Sequence, residues 1–333
     1  MGKPRYGSAT TTDEILEGVD LSGRRVVITG AASGLGLESA RALAAHGASV
    51  TVLARSAERA EGAVAEIEAL VPTADLEPGV VDLANLATVR TFAETYLATH
   101  DTIDVLINNA GVMACPFGHT EDGFETQFGT NHLGHFLLTT LLSPALLRGT
   151  APRVVTLSSA GHARSDVDLV DPNFETTEYS PWIAYGRSKT ANALFARELA
   201  TRAGPRGLLS FSVHPGGIFT ALGRHLTEDL MNEMAAFATE RAATATTASA
   251  NPDAEVGFGF EWKSVEAGAA TQTWAAIAPE LSEHNGAYLA DCGLGVLGAD
   301  PGVNGFLPYL LDDEHAAALW ALSQHLVGAT FEP

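Results

Sequence analysis

The sequence predicts an α/β fold: one domain built on a doubly wound, mostly parallel β-sheet of about seven strands with helices on both faces. Two observations carry this. Short runs such as "RVVITG", "IDVLINNAG" and "PRVVTLSSAG" are apolar throughout instead of alternating, as expected of strands buried on both faces. Between them lie longer stretches such as "LGLESARALAAHG" and "AERAEGAVAEIEAL", whose apolar residues recur at helical spacing, so the chain reads as successive βαβ units.

Taken in order from Arg24, "RVVITG" feeds the first helix and "ASVTVLA" the second, while "LEPGVVDL" precedes "ATVRTFAETYLATH". "IDVLINNAG" and "PRVVTLSSAG" follow, and "LLSFSVHPGG" and "GAYLA" bring the count to about seven. Residues 1–22 are expected to form an N-terminal arm on a single domain spanning 23–333. Two insertions, at about 160–182 and 221–263, interrupt the alternation. Both follow strand C-termini, the edge where open α/β sheets bind ligands, and are therefore assigned to substrate recognition. The second includes "ERAATATTASANPDAEVGFG", of low complexity, to be read either as a lid or as a disordered excursion.

Composition narrows the function classes. The 333 residues are 46% hydrophobic, enough for one large core. Nineteen basic against forty acidic residues give a net charge of -21, which argues against nucleic acid or an anionic membrane surface as partner. Cys115 and Cys292 fit no metal-ligand spacing, and so few thiols suit a reducing compartment, so a cytoplasmic location is expected. No run has the length of a membrane span, and the opening residues lack the apolar core of a signal peptide. The excess of alanine and acid suits a GC-rich bacterium or a salty cytosol.

In "VVITGAASGLGLESA", Gly30, Gly34 and Gly36 stand between a strand and a helix. Glycines there let the backbone turn sharply and approach a pyrophosphate, which the helix N-terminus stabilises with its free N–H groups and dipole. The second strand ends in Ala54 and Arg55, where NAD-preferring folds commonly place an acid. A guanidinium can pair with a 2'-phosphate, so NADP is favoured and NAD is the alternative; Arg55 as an ordinary surface arginine is the competing reading.

"YGRSK" sets Tyr185 and Lys189 four residues apart on an amphipathic helix, hence one above the other on a single face. A neighbouring ammonium favours phenolate and is expected to lower the tyrosine pKa, which makes the pair a candidate for proton transfer.

The ordered set "TGAASGLG", "NNAG", "TNHLGHF", "TLSSAG", "YGRSK" and "HPGGIFT" resembles the short-chain dehydrogenase/reductase family, Rossmann-type oxidoreductases, over about Leu21 to Cys292. "NHLGHF", "YGRSKTAN", "VHPG" and "YLADC" resemble the subgroup of retinol dehydrogenases and the WW-domain-containing oxidoreductase. The resemblance implies Tyr185 as acid/base and Lys189 as the group that holds the nicotinamide ribose. It further implies Ser159 as hydrogen-bond donor to the substrate oxygen and Asn131 as anchor of a water chain from Lys189. Cofactor contacts are implied for Ser33 and Leu35 in the turn, and for Asp82 and Leu83 at the adenine. Asn108, Ala110 and Gly111 would brace the sheet and approach the adenosine ribose, and Pro215, Gly216, Ile218 and Thr220 would lie beside the nicotinamide carboxamide and the pyrophosphate. Asp82 would also serve as helix N-cap for "ANLATVR". Ser159 precedes Tyr185 by 26 residues, about twice the gap usual in compact relatives, so substrate geometry is hard to borrow from them.

The implied reaction is NAD(P)-dependent hydride transfer between an alcohol and a carbonyl compound, with "PWIAY", "GGIF" and "MNEMAAF" pointing to an apolar small-molecule substrate. Reduction of a carbon-carbon double bond is the alternative within the family. Outside it stand a nonenzymatic dinucleotide sensor, which would not need a Ser, Tyr, Lys set, and a methyltransferase, which "NNAG" and "YGRSK" argue against. His132 and His135 invite a metal reading, but no third ligand follows at a convincing spacing, so no metal is expected. The resemblance implies pairing into a homodimer or homotetramer through the helices carrying "TNHLGHF" and "YGRSK", with the insertions as a potential block to one of these interfaces.

Overall fold

A computed structural model describes residues 6–244 and 262–333. The chain opens with α1 (Thr12–Leu16), then β1 (Arg25–Thr29), α2 (Gly34–Ala45), β2 (Ser49–Ala54), α3 (Ala57–Leu70) and β3 (Asp75–Val80). It continues with α4 (Leu86–Thr99), β4 (Val105–Asn108), the helical turn α5 (Thr126–Phe128), α6 (Gly134–Leu146), β5 (Arg153–Leu157) and α7 (Pro181–Ala203). After β6 (Leu209–His214) and β7 (Gly217–Ile218) come α8 (Glu228–Thr244), β8 (Trp262–Lys263), α9 (Val265–Ile277) and β9 (Tyr288–Ala290). The short strands β10 (Gly293–Leu294), β11 (Val296–Leu297) and β12 (Gly305–Phe306) precede the last helix, α10 (Asp313–Val327).

The main sheet has the order β10-β9-β6-β5-β4-β1-β2-β3. Every neighbouring pair is parallel except β10 with β9, so the seven expected strands are joined by one short antiparallel edge. The other edge, β3, carries Pro78, which an edge tolerates because no ladder needs its missing N–H. Strand pleating sends successive residues to opposite layers. Val26 and Ile28 join a core with Leu43 of α2 and Trp274 of α9, while Val27 faces a second core with Phe136 of α6 and Leu194 of α7. Both faces being covered is why these strands read as unbroken apolar runs.

β1 lies between β2 and β4, so the chain leaves β1 and β4 toward opposite faces and opens a crevice at their C-terminal ends. Helix α1 is closed by a capping box of Thr11 and Glu14, with Ile15 and Leu16 buried against the α2/α9 layer. In the first insertion, the Asp171 carboxylate accepts from the backbone N–H of Glu175, Thr176 and Thr177. The second insertion contains α8; its residues 245–261 lie outside the described residues, and with them most of the low-complexity stretch.

α10 lies across α6 and α7. Its Trp320 stacks on Phe195 at 5.7 Å and meets Phe136 edge-on at 4.9 Å, and Ser323 Oγ bonds His132 Nε2 at 2.7 Å. Among the described residues no helix is long and apolar enough to cross a membrane.

Candidate active site

The crevice at the strand ends is a cleft of about 900 Å³. Gly30 turns out of β1 at φ +64°. A Cβ on Gly36 would stand 2.5 Å from Asn109 Nδ2 and 2.6 Å from the Gly30 oxygen, so only glycine lets α2 start this close to the turn. Ser33 precedes α2 with no side-chain hydrogen bond to the helix, leaving the first-turn amides to be satisfied by something else. Glycine turn, open helix N-terminus and close backbone approach together form a cradle suited to a pyrophosphate.

Asn109, which the sequence reading passed over, ties this cradle to β4. Its Nδ2 donates to the Thr29 carbonyl at 2.8 Å, and its backbone N–H and that of Ala110 both donate to Thr29 Oγ1. Asn108, expected both to brace the sheet and to approach the ribose, is placed for the first and does not line the cleft. It shares the face of Leu106, is fully buried, and donates to Thr139 Oγ1 of α6 at 3.1 Å. Strand pleating gives the cleft to its neighbour instead, and the doublet "NN" does not reveal in which phase the strand ends. Ala110 and Gly111 do line the cleft.

At the other end of the turn, Arg55, Asp82 and Leu83 line the cleft with Arg59, a second residue passed over. Ser56 Oγ caps α3 by accepting from the Arg59 N–H, so Arg59 lies in the helix's first turn, one turn beyond Arg55. A guanidinium four residues after Arg55 was the available signal. The expected N-cap role of Asp82 is corrected: Asn85 caps α4, bonding the Ala87 N–H, and Asp82 closes its own turn by accepting from the Ala84 N–H at 3.0 Å. The chain turns once more before the helix begins, which moves the cap three residues on.

The floor is built by α7, which starts at a Ser180 cap with Pro181 at its first position. Tyr185 and Lys189 both face the cleft from this helix. The loop after β5 crosses directly over the phenol: a Cβ on Gly161 would stand 2.6 Å from Tyr185 Cε1, and one on Gly186 2.8 Å from Arg164 Cβ. Ser159 Oγ caps that loop by accepting from the Gly161 N–H at 3.0 Å, whereas Ser158 Oγ turns back to the Lys189 carbonyl. Lys189 Nζ donates to the Leu157 carbonyl at 2.9 Å and lies 5.7 Å from the Tyr185 ring centroid.

Asn131 sits in a π-helical turn, Gly129–Leu133, between α5 and α6. Its amide bridges the backbone of Val112 in both directions and donates to Ser188 Oγ at 2.9 Å. A carbonyl only accepts, so the 2.8 Å contact of His135 with the Asn131 oxygen places the hydrogen on Nδ1, and Nε2 accepts from Thr29 Oγ1 at 2.8 Å. His135 thus links the dinucleotide turn to Asn131, and both histidines of "NHLGH" spend ring nitrogens on neighbouring groups. On the far wall, Pro215, Gly216, Ile218 and Thr220 line the cleft; Thr220 touches the turn, where a Cβ on Gly34 would stand 3.3 Å from its Cγ2.

The electrostatics depart from expectation at the tyrosine. Burial pushes the Tyr185 hydroxyl up to about 12, with Ser159 opposing, and pushes the Lys189 ammonium down to about 8. The expected lowering of the phenol does not occur, because desolvation by burial dominates over the lysine lying beside the ring. A lysine depressed in this way is an ammonium below pH of about 8 and a neutral amine above it. If the ammonium is the form that holds cofactor, kcat/KM for the cofactor, which reports the free enzyme, falls as pH rises through about 8. A profile flat across that range would remove Lys189 from cofactor binding.

Fold and site together define a dinucleotide-dependent oxidoreductase, and the chain belongs to the short-chain dehydrogenase/reductase family, whose sequence model, described as short chain dehydrogenase, matches residues 24–231. Within it the chain falls in the retinol-dehydrogenase-like subgroup. It is 36% identical to human retinol dehydrogenase 13 over 308 residues, 92% of this chain and 86% of that protein. It is likewise 36% identical to the human WW domain-containing oxidoreductase, covering 98% of this chain and 73% of that one. The short-chain dehydrogenase/reductase prx1 of Penicillium roqueforti is 40% identical over 311 residues, 89% and 83% of the two chains. Among solved structures, an uncharacterized protein from Mycobacterium paratuberculosis superposes with a TM-score of 0.70 at 33% identity, covering 98% of this chain and all of its own. Gluconate 5-dehydrogenase from Burkholderia cenocepacia, solved with NADP and tartrate, shares the fold at TM-score 0.59 and 21% identity, over 81% and 94%. The family implies a nicotinamide dinucleotide cofactor and a small-molecule substrate, and the cradle before α2 fits the first.

Proposed function

We propose that the protein is an NADP-dependent carbonyl reductase or alcohol dehydrogenase that uses Tyr185 as its acid/base group on a largely apolar ketone, aldehyde or secondary alcohol. The observation that carries this reading is the Tyr185 phenol held in the cleft floor under the Ser159 loop, with Lys189 beside its ring. Gly30, Ser33, Gly34, Leu35 and Gly36 would hold the pyrophosphate, and Pro215, Gly216, Ile218 and Thr220 the nicotinamide end. A reduced nicotinamide bound there supplies hydride to a carbonyl carbon. Tyr185 gives its proton to the carbonyl oxygen, a transfer suited to a phenol kept protonated by burial. Ser159 donates to the same oxygen and stabilises the charge that develops on it. A Cβ on Gly111 would stand 3.2 Å from Asn131 Oδ1 and 3.7 Å from Lys189 Nζ, a closeness that supports reading these two side chains as the route by which the phenol is reprotonated.

The substrate walls come from both insertions. Trp182 ends the first; Leu226, Met234 and Phe237 belong to the second, and all four line the cleft. This supports reading 160–182 and 221–263 as substrate-side insertions on one domain, with residues 1–22 as an arm. If the chain pairs with copies of itself, α10 has already covered α6 and α7, so pairing would use other surface or α10 itself.

The test is a paired assay of purified protein with NADPH and NADH against apolar aldehydes, ketones and steroids. Turnover with NADPH is expected. Replacing Arg55 and Arg59 together by alanine should raise KM for NADPH by about tenfold or more, as expected when charge-assisted hydrogen bonds are lost, and leave KM for NADH nearly unchanged. A wild-type preference for NADH would overturn the cofactor assignment.

A further inference from the structure

The chain carries a net charge of -21, yet the cleft is basic. Among the described residues that line it, Asp82 at the adenine end is the only acid, against Arg55, Arg59, Arg164, Lys189, Arg224 and Arg241. Four of these have an evident employment. Arg55 and Arg59 flank the adenine end, Lys189 bonds the Leu157 carbonyl, and Arg241 pairs with Asp300 at 2.5 Å. Arg224 is exposed and bonds the Ala221 carbonyl. Arg164 differs from them all.

Arg164 leaves the Ser159 loop at its far end, with its Cβ packed on Gly186, the residue after Tyr185. Its guanidinium lies over the Phe237 ring at 3.8 Å and near Trp182 at 5.3 Å. The Trp182 ring in turn stands 6.2 Å from that of Tyr185, so the three side chains form a row along the substrate end of the cleft. Arg164 makes no ion pair among the described residues. Of its five N–H donors one goes to the Glu233 backbone carbonyl at 3.0 Å, and the Glu233 and Glu240 carboxylates act on it only from beyond contact. The cation is half-buried and held over the Phe237 ring with one donor engaged by the protein among the described residues, which leaves its fork able to pair with an anion entering the cleft. The surrounding wall, with Met113, Leu226 and Met234, suits an apolar skeleton.

We infer that the substrate is an oxo-acid or hydroxy-acid with an apolar body, its carbonyl or alcohol at Tyr185 and its carboxylate on the guanidinium of Arg164. This rests on the reading of Tyr185 given above. The carboxylate is a spectator. Hydride from the reduced nicotinamide goes to the carbonyl carbon and the Tyr185 proton to its oxygen, so the acid is anchored but not altered. The planar fork of arginine matches both carboxylate oxygens, which a lysine's single ammonium does not.

The experiment compares succinic, adipic and azelaic semialdehydes with their monomethyl esters, using NADPH and holoprotein, in wild type, Arg164→Gln, Arg164→Lys and Tyr185→Phe. At the chain length that spans the row, kcat/KM for the acid is expected to exceed that for the ester by about tenfold or more, the worth of a charge-assisted hydrogen bond. In Arg164→Gln this ratio falls toward one, and in Arg164→Lys part of it returns. Calorimetry with octanoate against octanamide gives a readout independent of turnover: octanoate is expected to bind more tightly, and to lose that advantage in Arg164→Gln. Equal use of acid and ester at every length, or an acid preference that survives Arg164→Gln, overturns the inference while Tyr185-dependent turnover keeps the oxidoreductase reading. Equal losses for acid and ester in Arg164→Gln would mean that Arg164 only latches α8 to the Ser159 loop. If no carbonyl is reduced in a Tyr185-dependent way, both readings fall together.

Discussion

Tyr185→Phe is expected to lower kcat by about 10²–10⁴-fold, the usual contribution of a positioned general acid, while leaving cofactor binding close to wild type. The substitution deletes one hydroxyl and keeps the ring that Gly161 packs against, so the floor of the cleft retains its shape. A buried hydroxyl pushed up to about 12 is protonated near neutral pH and available as the proton donor, so the loss should show fully in the reductive direction. Stopped-flow traces of NADPH consumption, with fluorescence titration of NADPH as the binding control, separate the two effects. Turnover within a few-fold of wild type alongside intact binding would mean that the proton comes from another group, with Ser159, which also lines the cleft, the first to examine.

Gly36→Ala is expected to cost about 1–3 kcal/mol in the geometry of the turn, and so to raise the dissociation constant for dinucleotide by about 10–100-fold. The added methyl would meet Asn109 Nδ2 at 2.5 Å and the Gly30 oxygen at 2.6 Å, and at least one of those contacts is rigid backbone. Gly62, in the interior of α3, is the control: nothing lies within 4 Å of its would-be Cβ. There the same substitution should stabilise the protein by about 0.5–1 kcal/mol, because alanine loses less backbone freedom on folding. Thermal unfolding with and without NADPH distinguishes them. A Gly36→Ala protein that binds NADPH as tightly as wild type would show that the cradle is not where the pyrophosphate sits.

Much of this was legible because the signals are local. Hydrophobic runs of strand length, helical periodicity between them, and glycines in a strand-to-helix turn are properties of a few consecutive residues. The stacking of Tyr185 over Lys189 follows from helix pitch alone. Asn109 sits beside residues that were singled out, and Arg59 one helical turn beyond another. They were missed because exposure to the cleft depends on the phase in which a strand or helix ends, and a single residue of shift reverses the side.

By itself, then, the sequence determined the order of strands and helices along the chain, the glycine turn between the first strand and its helix, and the family whose motifs it carries. Only the tertiary structure decided that Asn108 belongs to the core and Asn109 to the cradle, and that Asn85 caps α4. It also decided that burial overrides Lys189 in setting the Tyr185 hydroxyl, that α10 covers α6 and α7, and that Arg164 comes to rest between Trp182 and Phe237. The physical reason is common to all of these. Desolvation, close approach and charge pairing depend on what arrives from distant parts of the chain, and Phe237 reaches Arg164 from 73 residues away.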